Sequence, residues 1–251
     1  MASQKGILSL QGTLGNIIFY KSKDGYMARE KGGLDAKRIA SDPAFQRTRE
    51  NNQEFGRACK AGKFLRNAVR SLLQIASDSN MISRLTKQMI RVIKADEVNR
   101  RGQRNVIDGE AGLLEGFEFN INAKLQATLY APFTAVIDRA TGILTVDIPA
   151  LVPAHMIAAP GGTTHFRVNS AGVEIDFEQG TSVSEIESSA EIALDNINTA
   201  PLTHLHSVTA NSTYPLFILL GVEFLQEVNG SMYPLKNGSF NALAIIKVSA
   251  I

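Results

Sequence analysis

The sequence predicts an α+β protein in which a short N-terminal β-meander and two amphipathic helices precede an antiparallel sandwich or barrel of about eight or nine strands. Three observations predict it. Apolar residues recur at helical spacing between residues 43 and 95. Beyond residue 110 they alternate in short runs separated by turn residues. The charge changes too: residues 1–106 hold 21 Lys and Arg against 9 Asp and Glu, whereas residues 107–251 hold 5 against 15.

The spacing of the apolar residues and the net charge both change near residue 110. Residues 1–110 are therefore predicted as a basic β-arm and helical region, and residues 111–251 as an acidic antiparallel β-domain. The first part has a net charge of +12 and the second of −10, which the near-neutral total of +2 hides. Such a split points to nucleic acid or to an oppositely charged protein surface, which a second copy of this chain supplies.

The N-terminal meander is predicted from short runs of apolar residues that are separated by glycine-containing turns. Ile7, Leu8 and Leu10 lead to Gly12, residues 17–20 form a second run, and a hairpin turn follows at Asp24-Gly25. A meander of this size is marginal in water and needs another surface to cover it. It is therefore a candidate assembly arm, with Tyr20 and Tyr26 as candidate interface residues.

Two amphipathic helices are predicted next. Asp42-Pro43 begins a helix over about residues 43–76, and a second helix covers residues 81–95. The first has an apolar arc and, opposite it, a basic face, so the candidate interface residues on this helix are Arg57, Lys60, Lys63 and Arg70.

The second half is predicted to be almost entirely β. Strict alternation over residues 117–129 predicts one long strand, and hairpins are predicted over residues 133–148 and 165–177, the second turning at residues 170–172. Residues 181–201 are acidic and serine-rich, which predicts a loop with a short helix. Four further strands are predicted over residues 205–210, 216–228, 232–235 and 240–251.

One strand carries a row of acidic side chains. Val173, Ile175 and Phe177 alternate with Glu174, Asp176 and Glu178, so the three carboxylates are predicted to line one exposed face. A basic helix face on a neighbouring subunit would relieve their mutual repulsion. A solvated strand face is the alternative interpretation.

Catalytic and cofactor signatures are weak throughout the sequence. His204 and His206 are two apart and would share a strand face, but no third metal ligand follows by spacing. Gly12–Asn16 and Ala61–Phe64 each lack part of a phosphate-binding fingerprint, and no nucleophile elbow occurs. We therefore expect no enzyme activity, no cofactor, no metal and no small-molecule substrate.

Cysteine usage and hydropathy predict the compartment. Cys59 is the single cysteine and cannot form an internal disulfide, and no apolar stretch reaches the roughly 18 residues that span a bilayer. The first residues lack an apolar signal core. These features predict a cytoplasmic protein of bacterial type with no membrane partner.

A series of short motifs runs through residues 12–70. They are Gly12-Thr13-Leu14-Gly15, Asp24-Gly25-Tyr26, Arg29-Glu30-Lys31-Gly32-Gly33, Asp42-Pro43-Ala44-Phe45, Arg47-Thr48-Arg49-Glu50-Asn51, Ala61-Gly62-Lys63 and Leu65-Arg66. With these motifs, residues 12–70 resemble a group of Bacteroidota proteins linked to cytoplasmic fibril or phage-tail-like structural proteins of gliding bacteria. The resemblance covers less than a third of the chain and implies a structural role.

Two functions follow as hypotheses. The first is a non-enzymatic structural subunit that assembles with itself into a fibre, tube or phage-tail-like particle through the β-arm and through pairing of basic and acidic surfaces. The second is a nucleic-acid-binding or packaging protein that uses the basic helices, for which binding would weaken steeply with salt.

Overall fold

A computed structural model describes residues 2–6, 9–32 and 36–250. The predicted strand residues Ile7 and Leu8, and the terminal Ile251, lie outside the described residues. The chain divides into two compact units, residues 1–49 and residues 50–251.

The first unit contains a small antiparallel sheet and a short helix. The elements are β1 (Ala2–Ser3), β2 (Gly12–Leu14), β3 (Ile17–Ser22), β4 (Gly25–Glu30) and α1 (Ala36–Ser41). The sheet has the strand order β1-β4-β3-β2. The predicted hairpin at Asp24-Gly25 is confirmed, and Gly25 adopts a φ of 105°, which suits glycine.

The two predicted helices are confirmed, the first with a break. The Asp42 side chain accepts a hydrogen bond from Ala44 N at 2.9 Å and caps a 3-10 turn, after which the α-helix starts. Val69, at φ −118° and ψ 29°, interrupts the helical backbone. The helices are α2 (Gln46–Ala68), which begins in the first unit, α3 (Arg70–Ile75) and α4 (Met81–Lys94).

The β-domain is a curled antiparallel half-barrel, and the predicted α+β class is confirmed. Its elements are α5 (Leu125–Thr128), β5 (Thr134–Asp138), β6 (Ile143–Ile148), α6 (Pro153–Met156), β7 (His165–Asp176), β8 (Thr181–Ser188), β9 (Ile192–Ala193), β10 (Leu202–Ser207), β11 (Leu216–Val228), β12 (Ser231–Pro234) and β13 (Ala242–Ser249). One sheet has the order β10-β6-β5. The other has the order β12-β11-β7-β8, with β13 paired to β11 and β9 paired to β7.

The larger sheet is the middle of three layers. Successive residues of β7 alternate between two cores: Val173 and Ile175 pack with the helices, whereas Phe166 and Val168 pack with the smaller sheet. Helices α2–α4 thus share a core with the sheet. The change in composition near residue 110 marks where the helices give way to the β-domain, whereas the compact units divide after Arg49.

Three β predictions are wrong. Residues 117–129 contain an isolated bridge from Glu118 to Ala244 and the short helix α5 instead of one long strand. The predicted turn at residues 170–172 lies inside β7, which runs unbroken over twelve residues. The loop and short helix predicted after residue 181 are instead the strand β8, which pairs with β7.

Candidate functional site

The predicted interface residues Tyr20 and Tyr26 lie on opposite faces of the N-terminal sheet. Residues directly opposite each other in an antiparallel pair share a face, and the register pairs Tyr20 with Met27 and Lys21 with Tyr26. Each tyrosine ring also has a cation over it: Arg29 lies 5.6 Å from the centroid of Tyr20 and Lys21 lies 5.6 Å from that of Tyr26. Both tyrosines are half-buried.

This sheet is apolar on both faces, yet it has no buried core of its own. Among the described residues of 1–49, every side chain is either half-buried or exposed, and Leu14 is 72% exposed. Sheets with two apolar faces are normally covered on both sides. The first face carries Ile18, Tyr20 and Met27, and the second carries Leu14, Ile17, Phe19, Tyr26 and Ala28.

The predicted basic face of the first helix is only partly free. Lys60, Lys63 and Arg70 are exposed. Arg57 is half-buried, and its guanidinium donates hydrogen bonds to the carbonyls of Gly102 and Arg104. Arg57 therefore holds the connection after α4 against the helix, and three cations of the predicted face remain for a partner.

The predicted exposed acidic row is wrong for two of its three members. Glu174 and Asp176 are only 5% and 6% exposed, because β7 lies between β11 and β8 and both of its faces are covered. Asp176 accepts hydrogen bonds from the backbone N–H groups of Glu178 and Gln179, at 2.8 and 3.0 Å, and thus fixes the turn into β8. The carboxylate of Asp176 also raises the pKa of Tyr214.

Glu178, the third member, is exposed, but it lies near the basic helix of its own chain. Together with Arg57, Lys60 and Phe177 it lines a cavity of about 450 Å³. The charges that were predicted to pair between subunits are therefore partly brought together within one subunit.

Three glutamate carboxylates close the half-barrel by linking the region of β10 to β7 and β8. Strand β10 pairs with β6 along one edge, and its other edge, together with Thr209 just beyond the strand, donates backbone N–H groups to side chains. Leu205 N, Ser207 N and Thr209 N donate to Glu187, Glu185 and Glu174, at 3.0, 2.5 and 2.9 Å. We call these three side chains the carboxylate seam. Their oxygens accept the hydrogen bonds that a neighbouring strand's carbonyl groups would otherwise accept, so these backbone N–H groups are paired.

The two histidines that the sequence predicts to share a strand face form a buried polar cluster. Ser170 Oγ lies 2.5 Å from His204 Nδ1 and 2.9 Å from His206 Nε2. Burial lowers the pKa of both rings, although the nearby Glu187 carboxylate opposes this shift. Ser170 is fully buried, so this serine and its histidines are not presented to a substrate.

The described ranges contain no group of three or more His, Cys, Asp and Glu side chains placed to hold a metal ion. Likewise, none of the helices in those ranges combines the length and the hydropathy needed to cross a bilayer.

A cavity of about 730 Å³ lies against β13. Phe117, Ile121 and Phe133 supply apolar walls, and Glu118 is a carboxyl group whose pKa is raised by burial. Both of its oxygens accept from Leu125 N, at 3.1 and 3.2 Å, so Glu118 caps the first turn of α5. No local pattern in the sequence indicates this cavity, because it brings together residues 84–133 and 244–246.

Comparison of the chain with family models, with curated proteins and with solved structures gave no match. The resemblance of residues 12–70 to fibril and tail-like proteins therefore stays a prediction.

Proposed function

We propose that this chain is a structural subunit that assembles with copies of itself into a fibre, tube or tail-like particle, and that its N-terminal sheet is the assembly arm. The observation that carries the proposal is the sheet over residues 2–30, which has apolar side chains on both faces and no buried residue among those described. Apolar area gains about 25 cal/mol per Å² when it leaves water, so such a sheet is stabilised by a covering surface.

A neighbouring copy is the covering surface that every subunit has available. When an arm of one subunit docks on a different surface of the next, the contact is heterologous and generates rings or open filaments. The pairing of a basic helix face with the acidic row is not retained in this proposal, because Glu174 and Asp176 are buried. The exposed cations Lys60, Lys63 and Arg70 therefore have no assigned acidic partner in the assembly.

Deleting residues 1–30 should abolish the polymers. The reason is that the deletion removes the sheet that a neighbour covers, while the core of residues 50–251 remains intact. The measurement is negative-stain electron microscopy with light scattering, at about 50 mM and about 1 M salt, so that weak and strong screening are both sampled. Apolar arm contacts predict polymers that survive the higher salt.

A full-length variant separates loss of contact from loss of fold. Tyr20→Ser combined with Tyr26→Ser should weaken assembly, whereas Tyr130→Ser, at an exposed tyrosine of the β-domain, should leave it unchanged. A truncated protein that still forms normal polymers would refute the arm. A wild-type chain that stays monomeric in both salts would refute self-assembly.

Nucleic-acid binding is the second candidate, and one observation favours it. Lys60, Lys63 and Arg70 are exposed, and within the described part of the chain they form no ion pair. Reversing all three to Glu should then abolish binding to a single- or double-stranded DNA probe at about 50 mM salt. Lys124→Glu with Lys247→Glu, on the β-domain, is the control, and a wild-type protein that binds neither probe removes this candidate.

A further inference from the structure

Strand β5 has one edge whose backbone is unpaired. It pairs with β6 along its other edge, and no described residue bonds to the backbone of the outer edge between residues 133 and 137. The Asp138 carbonyl accepts from Gly142 N at 2.9 Å, so it faces β6. Because the direction of the backbone groups alternates along an antiparallel strand, the N–H and C=O groups of Ala135 and Ile137 face the outer edge.

The other edges of the β-domain are covered or short. The carboxylate seam lies between the edges of β8 and β10. The segment over residues 116–119 covers the outer edge of β13, for example through the bond from Phe119 N to Leu243 O at 2.8 Å. Strand β12 has four residues and ends at Pro234, which cannot donate to a further strand.

The outer edge of β5 lacks the usual protection of an edge strand. Proteins normally protect such an edge with charged side chains, with proline or with a covering segment. Residues 133–137 contain no charged residue and no proline, and Val136 is 55% exposed. This edge can therefore accept a further strand, and the chemistry that fits it is the backbone of another extended segment.

Strand β2 of the assembly arm has a matching edge. Gly15 and Asn16 form the two-residue turn between Leu14 and Ile17, so the backbone of Leu14 faces β3 and that of Thr13 faces away from it. Strand β2 pairs with β3 alone among the described residues, and no bond to the backbone of Thr13 is found there. Residues 10–16 are uncharged, and Leu14 is 72% exposed.

The charges of the two partners are complementary. Residues 1–32 hold five Lys and Arg against two Asp and Glu, a net charge of +3, whereas residues 107–251 have a net charge of −10. Asp138 and Asp147 lie on the outer face of the β5–β6 hairpin. Within the described chain they accept hydrogen bonds from neutral groups and form no ion pair, so their charges are not neutralised.

We propose that strand β2 of one copy pairs antiparallel with the outer edge of β5 in the next copy, so that the arm sheet extends the β10-β6-β5 sheet. This inference rests on the proposed self-assembly and names the surface on which the arm docks. Thr13 then shares a face with Ala135 and Ile137, and Leu14 shares the opposite face with Val136, so the two exposed side chains cover each other. The two edges are different surfaces of the chain, so the contact is heterologous and propagates.

The pairing also gives one face of the arm a covering surface. Thr13 and Ile18 are opposite each other in the arm, so the first face of the arm continues the side of β5 that faces the core. Phe133, on that side just before β5, forms a wall of the cavity of about 730 Å³ against β13. The apolar side chains of the first face are thereby directed towards an apolar opening of the neighbouring copy.

A lysine at the edge tests the contact. Val136→Lys should raise the concentration at half-assembly by roughly tenfold or more, because it places a cation where the basic arm adds its strand. Leu205→Lys is the matched control, since Leu205 is 56% exposed on the same face and lies in register with Val136 across β6, but on β10. It should leave assembly in the wild-type range.

Disulfide formation locates the contact. In a Cys59→Ser background, which removes the single native thiol, Leu14→Cys is combined with Thr134→Cys or with Val136→Cys, the two positions that antiparallel pairing can place opposite residue 14. Diamide takes up the two electrons and two protons released as two thiols become one disulfide, and the bond requires Cα atoms within about 7 Å. We expect covalent ladders on non-reducing gels for one of these pairs, and nothing larger than dimers for Leu14→Cys with Leu205→Cys.

The outcomes separate this inference from the proposed function. Polymers that form no ladder with either cysteine pair, or that respond equally to Val136→Lys and Leu205→Lys, overturn the β5 contact and leave self-assembly standing. A disulfide within one chain, seen as a faster-migrating monomer, overturns the contact between copies. A protein that stays monomeric at every concentration overturns both proposals. Ladders together with selective sensitivity to Val136→Lys support the contact.

Discussion

Replacing Asp96 by alanine should lower the free energy of unfolding by about 2–4 kcal/mol, because one buried carboxylate organises the whole connection after α4. Asp96 is 2% exposed. It accepts from the backbone N–H groups of Val98, Asn99 and Asn105, at 2.9, 2.8 and 3.0 Å, and from the Asn99 side-chain amide at 3.0 Å. Urea unfolding at constant slope measures the change, which corresponds to a melting temperature lower by about 5–15 °C.

Two control variants show whether the Asp96 carboxylate is the cause of the lost stability. Glu97→Ala, at the exposed neighbouring position, should change stability by less than about 0.5 kcal/mol. Asp96→Asn keeps the size but replaces one acceptor oxygen with a donor, so we expect it to lose most of what the alanine variant loses. A stable Asp96→Asn protein would show that the negative charge is unimportant.

The pH dependence of the Asp96 effect has a definite sign. Burial is the largest influence and would raise the pKa of Asp96, but the hydrogen bonds from Asn99, Asn105 and Val98 together outweigh it and hold the pKa below its usual value. A carboxyl group with a lowered folded pKa stabilises the native state above its unfolded pKa of about 3.9 and loses that contribution as the pH falls. The difference between wild type and Asp96→Asn should therefore shrink below about pH 4.

Local signals in the sequence are sufficient to predict much of the fold. The Asp24-Gly25 turn, the Asp42 cap and the hairpin of β5 and β6 each depend on residues close together in the chain. The hairpin loop ends at Gly142, which has the positive φ of 75° that glycine favours. Such elements are predictable because the residues that determine them are neighbours in sequence.

The errors arise where the outcome depends on distant partners. Gly172 resembles a turn residue in sequence, but in β7 it makes room for His206, whose Cβ approaches too closely for a side chain at that position. Residues 117–129 alternate as a strand would, yet they form only two isolated bridges among the described residues, Glu118 to Ala244 and Leu129 to Ile157, because the part of the chain between them turns into α5. Alternation reports which side chains are covered, and it does not identify a pairing partner.

The prediction of an exposed acidic row is wrong for the same reason. Alternation in residues 173–178 correctly separates two faces, but it cannot show that the second face is covered by the smaller sheet. The observed row consists of Glu187, Glu185 and Glu174, contributed by two strands that meet β10. Glu185 and Glu187 lie in the segment that had been predicted as a loop with a helix, so the sequence offered no signal for the seam.

Acidification should destabilise the protein through the buried histidine pair. Burial lowers the folded-state pKa of His204 and of His206, whereas in the unfolded chain both have pKa values near 6.5. The unfolded state then binds more protons than the native state as the pH falls through about 6.5, so stability falls with it. Between pH 7.5 and pH 5.5 the loss is at most about 1.4 kcal/mol for each histidine that remains neutral when folded.

The hydrogen bonds of the cluster explain why protonation is unfavourable there. Ser170 Oγ lies between His204 Nδ1 and His206 Nε2, and His206 Nδ1 has no partner among the described residues. A proton on His206 Nδ1 would therefore place a positive charge in the core without a direct acceptor, although Glu185 and Glu187 lie close enough to oppose the shift. Proton NMR of the imidazole rings should show both remaining neutral below the usual histidine range.

A matched pair of variants assigns the pH dependence. Asn can present a polar atom near the Nδ1 position and Gln near the Nε2 position, so His204→Asn with His206→Gln keeps partners for Ser170 while removing both titrating groups. Its stability should be nearly flat between pH 7.5 and pH 5.5. His155→Gln with His165→Gln removes the other two histidines and should keep the wild-type slope; if that variant is the flat one, the buried pair is not the cause.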